Sequence, residues 1–195
     1  MSCGDFSVRL PEWLRSHANG DRVFETPEER MRLVIELSRL NVEHGVGGPF
    51  GAAVFDHSSN RLAAVGVNLV LSSNCSVLHA EVVAIMMAQK RWGHYDLGAQ
   101  GMPPFQLVTS TEPCAMCLGA VAWSGVRALV CGARDEDARH IGFDEGPKSP
   151  RWVEDLESRG IRVIRDVCRS EATEVLEYYA ESGGVIYNGR QGRPS

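Results

Sequence analysis

FQLVTSTEPCAMCLGAVAWSGVRALVC, residues 105–131, decides the architecture of this chain. Residues 105–109 are a short strand-forming run, 114–123 are small or apolar nearly throughout, and 126–131 return to a strand-forming run. Strand, helix and strand in so few residues predict two strands of one sheet joined through a helix, hence parallel. Upstream, residues 80–91 are apolar nearly all round, through Val82, Val83, Ala84, Ile85, Met86 and Met87, which predicts a helix packed on more than one side. Residues 50–55 and 62–71 are apolar runs separated by turn residues at 56–60, the pattern of a hairpin. Downstream come a strand at 161–164, a helix at 170–180 and a glycine-rich tail at 182–195.

Thr26-Pro27-Glu28-Glu29 is a helix start: a capping Thr, Pro at the first helical position, and acids in the first turn. That helix carries Met31, Val34, Ile35 and Leu37 and fades at Gly45-Val46-Gly47-Gly48. Residues 1–26 mix charge, Pro11 and Asn19-Gly20 without a sustained period, and are expected to form an N-terminal arm. No repeat, low-complexity tract or linker divides the remainder. Residues 27–195 are therefore expected to form one α/β domain, with five strands in a partly parallel sheet and helices on its faces.

The chain has 195 residues, 44% of them hydrophobic and 23% charged, ordinary values for a globular chain able to bury a sizeable core. Disorder, collagen and coiled coil are excluded by that composition. The apolar stretch 82–88 falls far short of the roughly 20 residues a membrane helix needs. Asp5 and Arg9 interrupt any signal-peptide core, so the expected location is the cytoplasm. With 20 Lys and Arg against 25 Asp and Glu, a net charge of −5 disfavours a nucleic-acid partner. Six cysteines, at 3, 75, 114, 117, 131 and 168, are too few for a disulfide scaffold of this length. In a reducing compartment, the spacing of Cys114 and Cys117 points to metal or redox chemistry.

Two clusters carry the chemistry: His79-Ala80-Glu81 and Thr111-Glu112-Pro113-Cys114-Ala115-Met116-Cys117. Each is expected at the start of a helix, where partial positive charge favours thiolates. Cys114 and Cys117, three apart, face one point, and His79 supplies a third ligand suited to zinc. Three protein ligands leave one tetrahedral position for water, the mark of a catalytic site. Zinc lowers the pKa of such a water to about 7. Glu81, two residues from His79, is placed to take its proton. Alone, Cys-x-x-Cys also fits a redox pair, which leaves His79 and Glu81 idle, or a structural zinc closed by Cys75 or Cys131. The joint occurrence of the two clusters favours catalytic zinc.

His-x-Glu followed by Pro-Cys-x-x-Cys is the signature of zinc-dependent deaminases, with the Glu as acid and base. The sequence thus resembles the cytidine-deaminase-like superfamily. This implies a three-layer α/β/α fold with a five-stranded mixed sheet, one Zn2+ per chain on His79, Cys114 and Cys117, and Glu81 as the catalytic carboxylate. Within it, residues 47–55, Asn68, the run from Glu112 to Trp123, Ile141-Gly-Phe143-Asp144-Glu145-Gly146 and Gly184-Val-Ile-Tyr187-Asn-Gly-Arg190 look like bacterial guanine deaminases. That likeness implies a homodimer, a free base as substrate, a tail that closes over it, and Glu145 as a second acid. Asn68 then offers an amide to the base edge, Phe50, Trp123 and Phe143 offer faces to stack on, and Asp144 and Tyr187 border the base.

Guanine to xanthine plus ammonia is the expected reaction. Related amino-heterocycles remain alternatives: ammeline or another s-triazine, isoguanine, or a cytosine-like base. A tRNA adenosine deaminase needs a basic strand-binding face, against which the net charge counts. A silent zinc-binding domain has no need of Glu81.

Overall fold

The computed structural model describes residues 7–18 and 22–189. Asn19-Gly20 of the expected arm, Cys3, Arg190 and the last tail residues lie outside the described residues. In chain order the elements are α1 (Glu12–His17), α2 (Pro27–Glu43), β1 (Gly51–Asp56), β2 (Arg61–Val67), α3 (Val70–Ser73) and α4 (Ala80–Trp92). They continue with β3 (Phe105–Thr111), α5 (Ala115–Ser124), β4 (Ala128–Ala133), α6 (Asp135–His140), α7 (Trp152–Glu157), β5 (Arg162–Ile164) and α8 (Arg169–Glu181).

The five strands form one mixed sheet in the order β2-β1-β3-β4-β5. β1 runs antiparallel to β2 and β3, whereas β4 is parallel to both β3 and β5. Alternation along β1 divides the core. Ala53 and Phe55 pack with Met31, Leu37 and Leu176 toward α2 and α8, while Ala52 and Val54 pack with Ala84, Ala88 and Val121 toward α4 and α5. This is the expected three-layer α/β/α fold.

Local chemistry explains the element ends. Thr26 Oγ1 accepts from the Glu29 N–H and Glu29 Oε2 accepts from the Thr26 N–H, a reciprocal cap on α2. Gly66 lets α4 lie directly on β2: a Cβ there would sit 2.4 Å from both the Ala80 carbonyl oxygen and the Ala84 nitrogen. The expected second hairpin strand, 62–71, ends instead at Val67, and the chain turns through Asn68 into α3. The apolar run there continues because Leu69 is a core residue, not because it is strand. Within the expected arm, α1 buries Leu14 completely and stacks Trp13 on His44. A helix of six residues is too short to show a period, and so are α3, α6 and α7.

Asn41, near the end of α2, ties the hairpin ends together. Its Nδ2 donates to the carbonyls of Gly48 and Asn68, each at 2.9 Å. Asn41→Ala removes both bonds and leaves the buried Asn68 carbonyl without its donor, while Gly48 keeps the bond from the Phe50 N–H, so it is expected to cost about 1–3 kcal/mol in urea unfolding. A loss below about 1 kcal/mol would contradict that bracing role.

Candidate active site

Two helix starts meet at the carboxyl end of β3. His79 is the N-cap of α4, Cys114 is the N-cap of α5, and Cys117 lies in the first turn of α5. His79 Nδ1 stands 3.5 Å from Cys114 Sγ and 3.6 Å from Cys117 Sγ. Bond lengths of about 2.3 Å to sulfur and 2.0–2.1 Å to nitrogen give a tetrahedral zinc edge of about 3.6 Å, so the donor set fits zinc. Among the described residues these three form the group able to hold a metal, all donor atoms lying within 4.8 Å of one another. Cys75 and Cys131 are outside it, which leaves three protein ligands rather than the four of a closed structural site.

The protein groups around the triad are strongly coupled. The hydrogen bond from Cys117 and the contact with His79 hold Cys114 down to about 4, against burial. Cys117 is pushed well above the ordinary thiol value by that same bond and by burial. Burial opposes a charged His79, but the Cys114 hydrogen bond and the charges of Glu81, Cys114 and Glu145 prevail and raise it. Burial, reinforced by the Cys114 charge, lifts Glu81 to about 7 and Glu145 to about 8. Both carboxyl groups are thereby raised toward neutrality, the direction that suits a group exchanging protons in catalysis.

His79, Glu81 and Cys114 line a pocket of about 180 Å³ together with Phe50, Phe143, Asp144, Glu145 and Tyr187. Phe143 sits between Phe50 and Tyr187, with ring centroids 5.0 and 5.2 Å away at steep angles. Asn68, at the end of β2, is fully buried; its Oδ1 accepts from the Val70 N–H, and its Nδ2 has no partner among the described residues. Tyr187 Oη is likewise buried without a partner, and its hydroxyl occupies the space where Gly48 lacks a side chain. Asp144 borders the pocket, but its carboxylate accepts from the Gly146 N–H and faces Arg139.

Trp123 is not brought to the site. It is 83% exposed near the end of α5 and borders a separate surface groove with Leu118 and Trp152. Six residues at about 100° each turn it roughly 120° away from Cys117. Conversely, Glu112 lies within the quoted cluster but was given no role of its own. This buried carboxylate accepts from Lys148 Nζ at 3.3 Å, Arg165 Nε at 2.6 Å and the Asp135 N–H at 3.3 Å. Its position beside Pro113 was visible, but its cations lie 36 and 53 residues further on. Asn188 was also passed over, being one more polar residue in a glycine-rich tail.

Residues 24–133 match the cytidine and deoxycytidylate deaminase zinc-binding region. The chain belongs to this deaminase family. It is similar to a guanine deaminase from Nitrosomonas europaea, with 46% identity and a TM-score of 0.88 over 91% of this chain and 97% of the other. A related structure bound to 2,6-diaminopurine gives 48% identity and a TM-score of 0.89, over 93% and 96%. Guanine deaminase of Bacillus subtilis is 39% identical over 118 residues, 60% of this chain and 71% of that protein. The chain is a zinc-dependent hydrolytic deaminase with one Zn2+ per chain. No helix among the described residues is long and apolar enough to cross a membrane.

Cys114→Ser is expected to strip the deaminase of most of its zinc, measured by elemental analysis of purified protein. Full zinc occupancy together with retained activity would place the metal elsewhere.

Proposed function

We propose that the substrate is a free nucleobase and that the reaction is guanine plus water to xanthine plus ammonia. The observation that carries this is a small pocket walled by the rings of Phe50, Phe143 and Tyr187, the last with a buried hydroxyl that has no partner among the described residues. At about 180 Å³ it lies below the ~300 Å³ at which pockets begin to take larger ligands. The likeness to guanine deaminases over nine-tenths of the chain supports the same choice.

His79, Cys114 and Cys117 hold the metal in this proposal, and zinc, when bound, supplies a hydroxide nucleophile at neutral pH. Glu81 takes the proton of the attacking water and returns it to a ring nitrogen of the base. Glu145, across the pocket, protonates the exocyclic amine as the C–N bond breaks and takes up the proton of the new hydroxyl, so that ammonia leaves and the carbonyl of xanthine forms. Asn68 donates to an acceptor on the base edge, Phe50 and Phe143 border the ring, and Tyr187 closes the pocket against water and ribose. Asp144 sets the turn that carries Glu145 beside the base.

The unit that does this is residues 27–195, preceded by the segment 1–26, and it works as a homodimer in the cytoplasm. The outer face of α5 supports a second copy as partner: Trp123 and Met116 are 83% and 37% exposed there, beside a groove of about 330 Å³. Free thiols at Cys75, Cys131 and Cys168 fit a reducing compartment.

Glu81→Gln is expected to keep zinc and fold while losing more than about 90% of turnover, since general acid–base help is typically worth 10²–10⁴-fold. Retention of more than a tenth of the wild-type rate would remove Glu81 from this role.

Ammonia release should be measured on guanine, guanosine, ammeline, isoguanine and cytosine, with the intact chain and with one ended at Gly183. Guanine is expected to be preferred over guanosine, and truncation to lower kcat/KM by about tenfold or more. Preference for the nucleoside, or unchanged kinetics after truncation, would overturn the closed-pocket assignment.

A further inference from the structure

The tail hydrogen-bonds the loop that carries Glu145 through the side-chain amide of Asn188. Asn188 Oδ1 accepts from the Asp144 N–H at 2.8 Å, and Asn188 Nδ2 donates to the Gly142 carbonyl at 2.8 Å. Both bonds fall between two glycines at left-handed angles, Gly142 at φ 105° and Gly146 at φ 69°, positions where a chain changes direction easily. From the other side the same loop is held by the Ala115 N–H, which donates to the Glu145 carbonyl at 2.9 Å. Glu145 thus stands between one fixed anchor on α5 and a second anchor on the tail. Next to Asn188, Tyr187 lies against Phe143 of the loop and seats its hydroxyl over Gly48. Tail and carboxylate loop are one packed unit.

We propose that Asn188 is a positioning residue for Glu145. Its amide braces the loop so that this carboxylate takes its working place when the tail lies across the pocket. The inference rests on the assignment of Glu145 as proton donor to the leaving amine.

The test compares Asn188→Ala, Glu145→Gln and the double variant of the zinc-loaded full chain on guanine, and follows amide hydrogen exchange. Loss of an interaction that acts in the transition state lowers kcat and kcat/KM together. Asn188→Ala is expected to lower kcat by about 10–100-fold, the range that a displacement near 1 Å can produce. KM should stay nearly constant, and the substitution should add no further loss on top of Glu145→Gln. Exchange should accelerate in the peptide containing Asp144 and stay unchanged in α5. Wild-type kcat in Asn188→Ala, a rise in KM alone, or an equal loss of rate in the Glu145→Gln background would each overturn the brace. If Glu145→Gln has no measurable turnover, the kcat and KM values of Asn188→Ala and its exchange pattern decide. Full turnover in Glu145→Gln overturns the role of Glu145 itself, whereas loss there with none in Asn188→Ala overturns the brace alone.

Discussion

Two helices of this protein point their N-termini at the same place. Each end carries roughly half a positive charge, so bringing them together is unfavourable unless negative charge lies between them. The sequence supplies it at a helix start itself: Cys114, the N-cap of α5, is the thiol held low there. The Cys114 thiol is held low chiefly by the hydrogen bond from Cys117 and then by His79, and a divalent cation is the natural complement of the three. The sheet order follows the same need. β3 lies at the centre, with β1 antiparallel on one side and β4 parallel on the other, so its carboxyl end opens where both helices start.

A second charge centre stands one residue before the metal ligands. Glu112 is buried, and a buried carboxylate is costly unless its charge is met. Lys148 and Arg165 meet it, and both also lie over the Trp152 ring. Three segments distant in sequence therefore converge behind the Pro113–Cys114 turn: the end of β3, the loop after Glu145, and the residue following β5. Removing only one partner leaves a buried charge exposed to a low dielectric, so this knot is held by mutual dependence rather than by any single bond.

What could be read in advance follows from how local each signal was. The strand–helix–strand run from Phe105 to Cys131 and the capped start at Thr26 are short-range patterns, and both are present in the fold. His79, Cys114 and Cys117 were legible because their spacing encodes a shared geometry. The second hairpin strand was overextended because Leu69 and Leu78 are apolar for the sake of the core, whatever the backbone does between them. Trp123 was drawn into the site by residue type, while the turn of α5 sends it outward. The partners of Glu112 and Asn188 were illegible for one reason: each bond joins positions that only the completed fold brings together.

Gly66 is remote from all of this chemistry, yet it sets a dimension of the metal centre. β2 and α4 meet there backbone to backbone, with no side chain between them. α4 carries His79 at its start and Glu81 in its first turn, while the two sulfur ligands ride on a different helix. One added methyl group at position 66 acts as a wedge under a single arm of a pair of tongs. The distance across the jaws is therefore set by a carbon atom the chain does without.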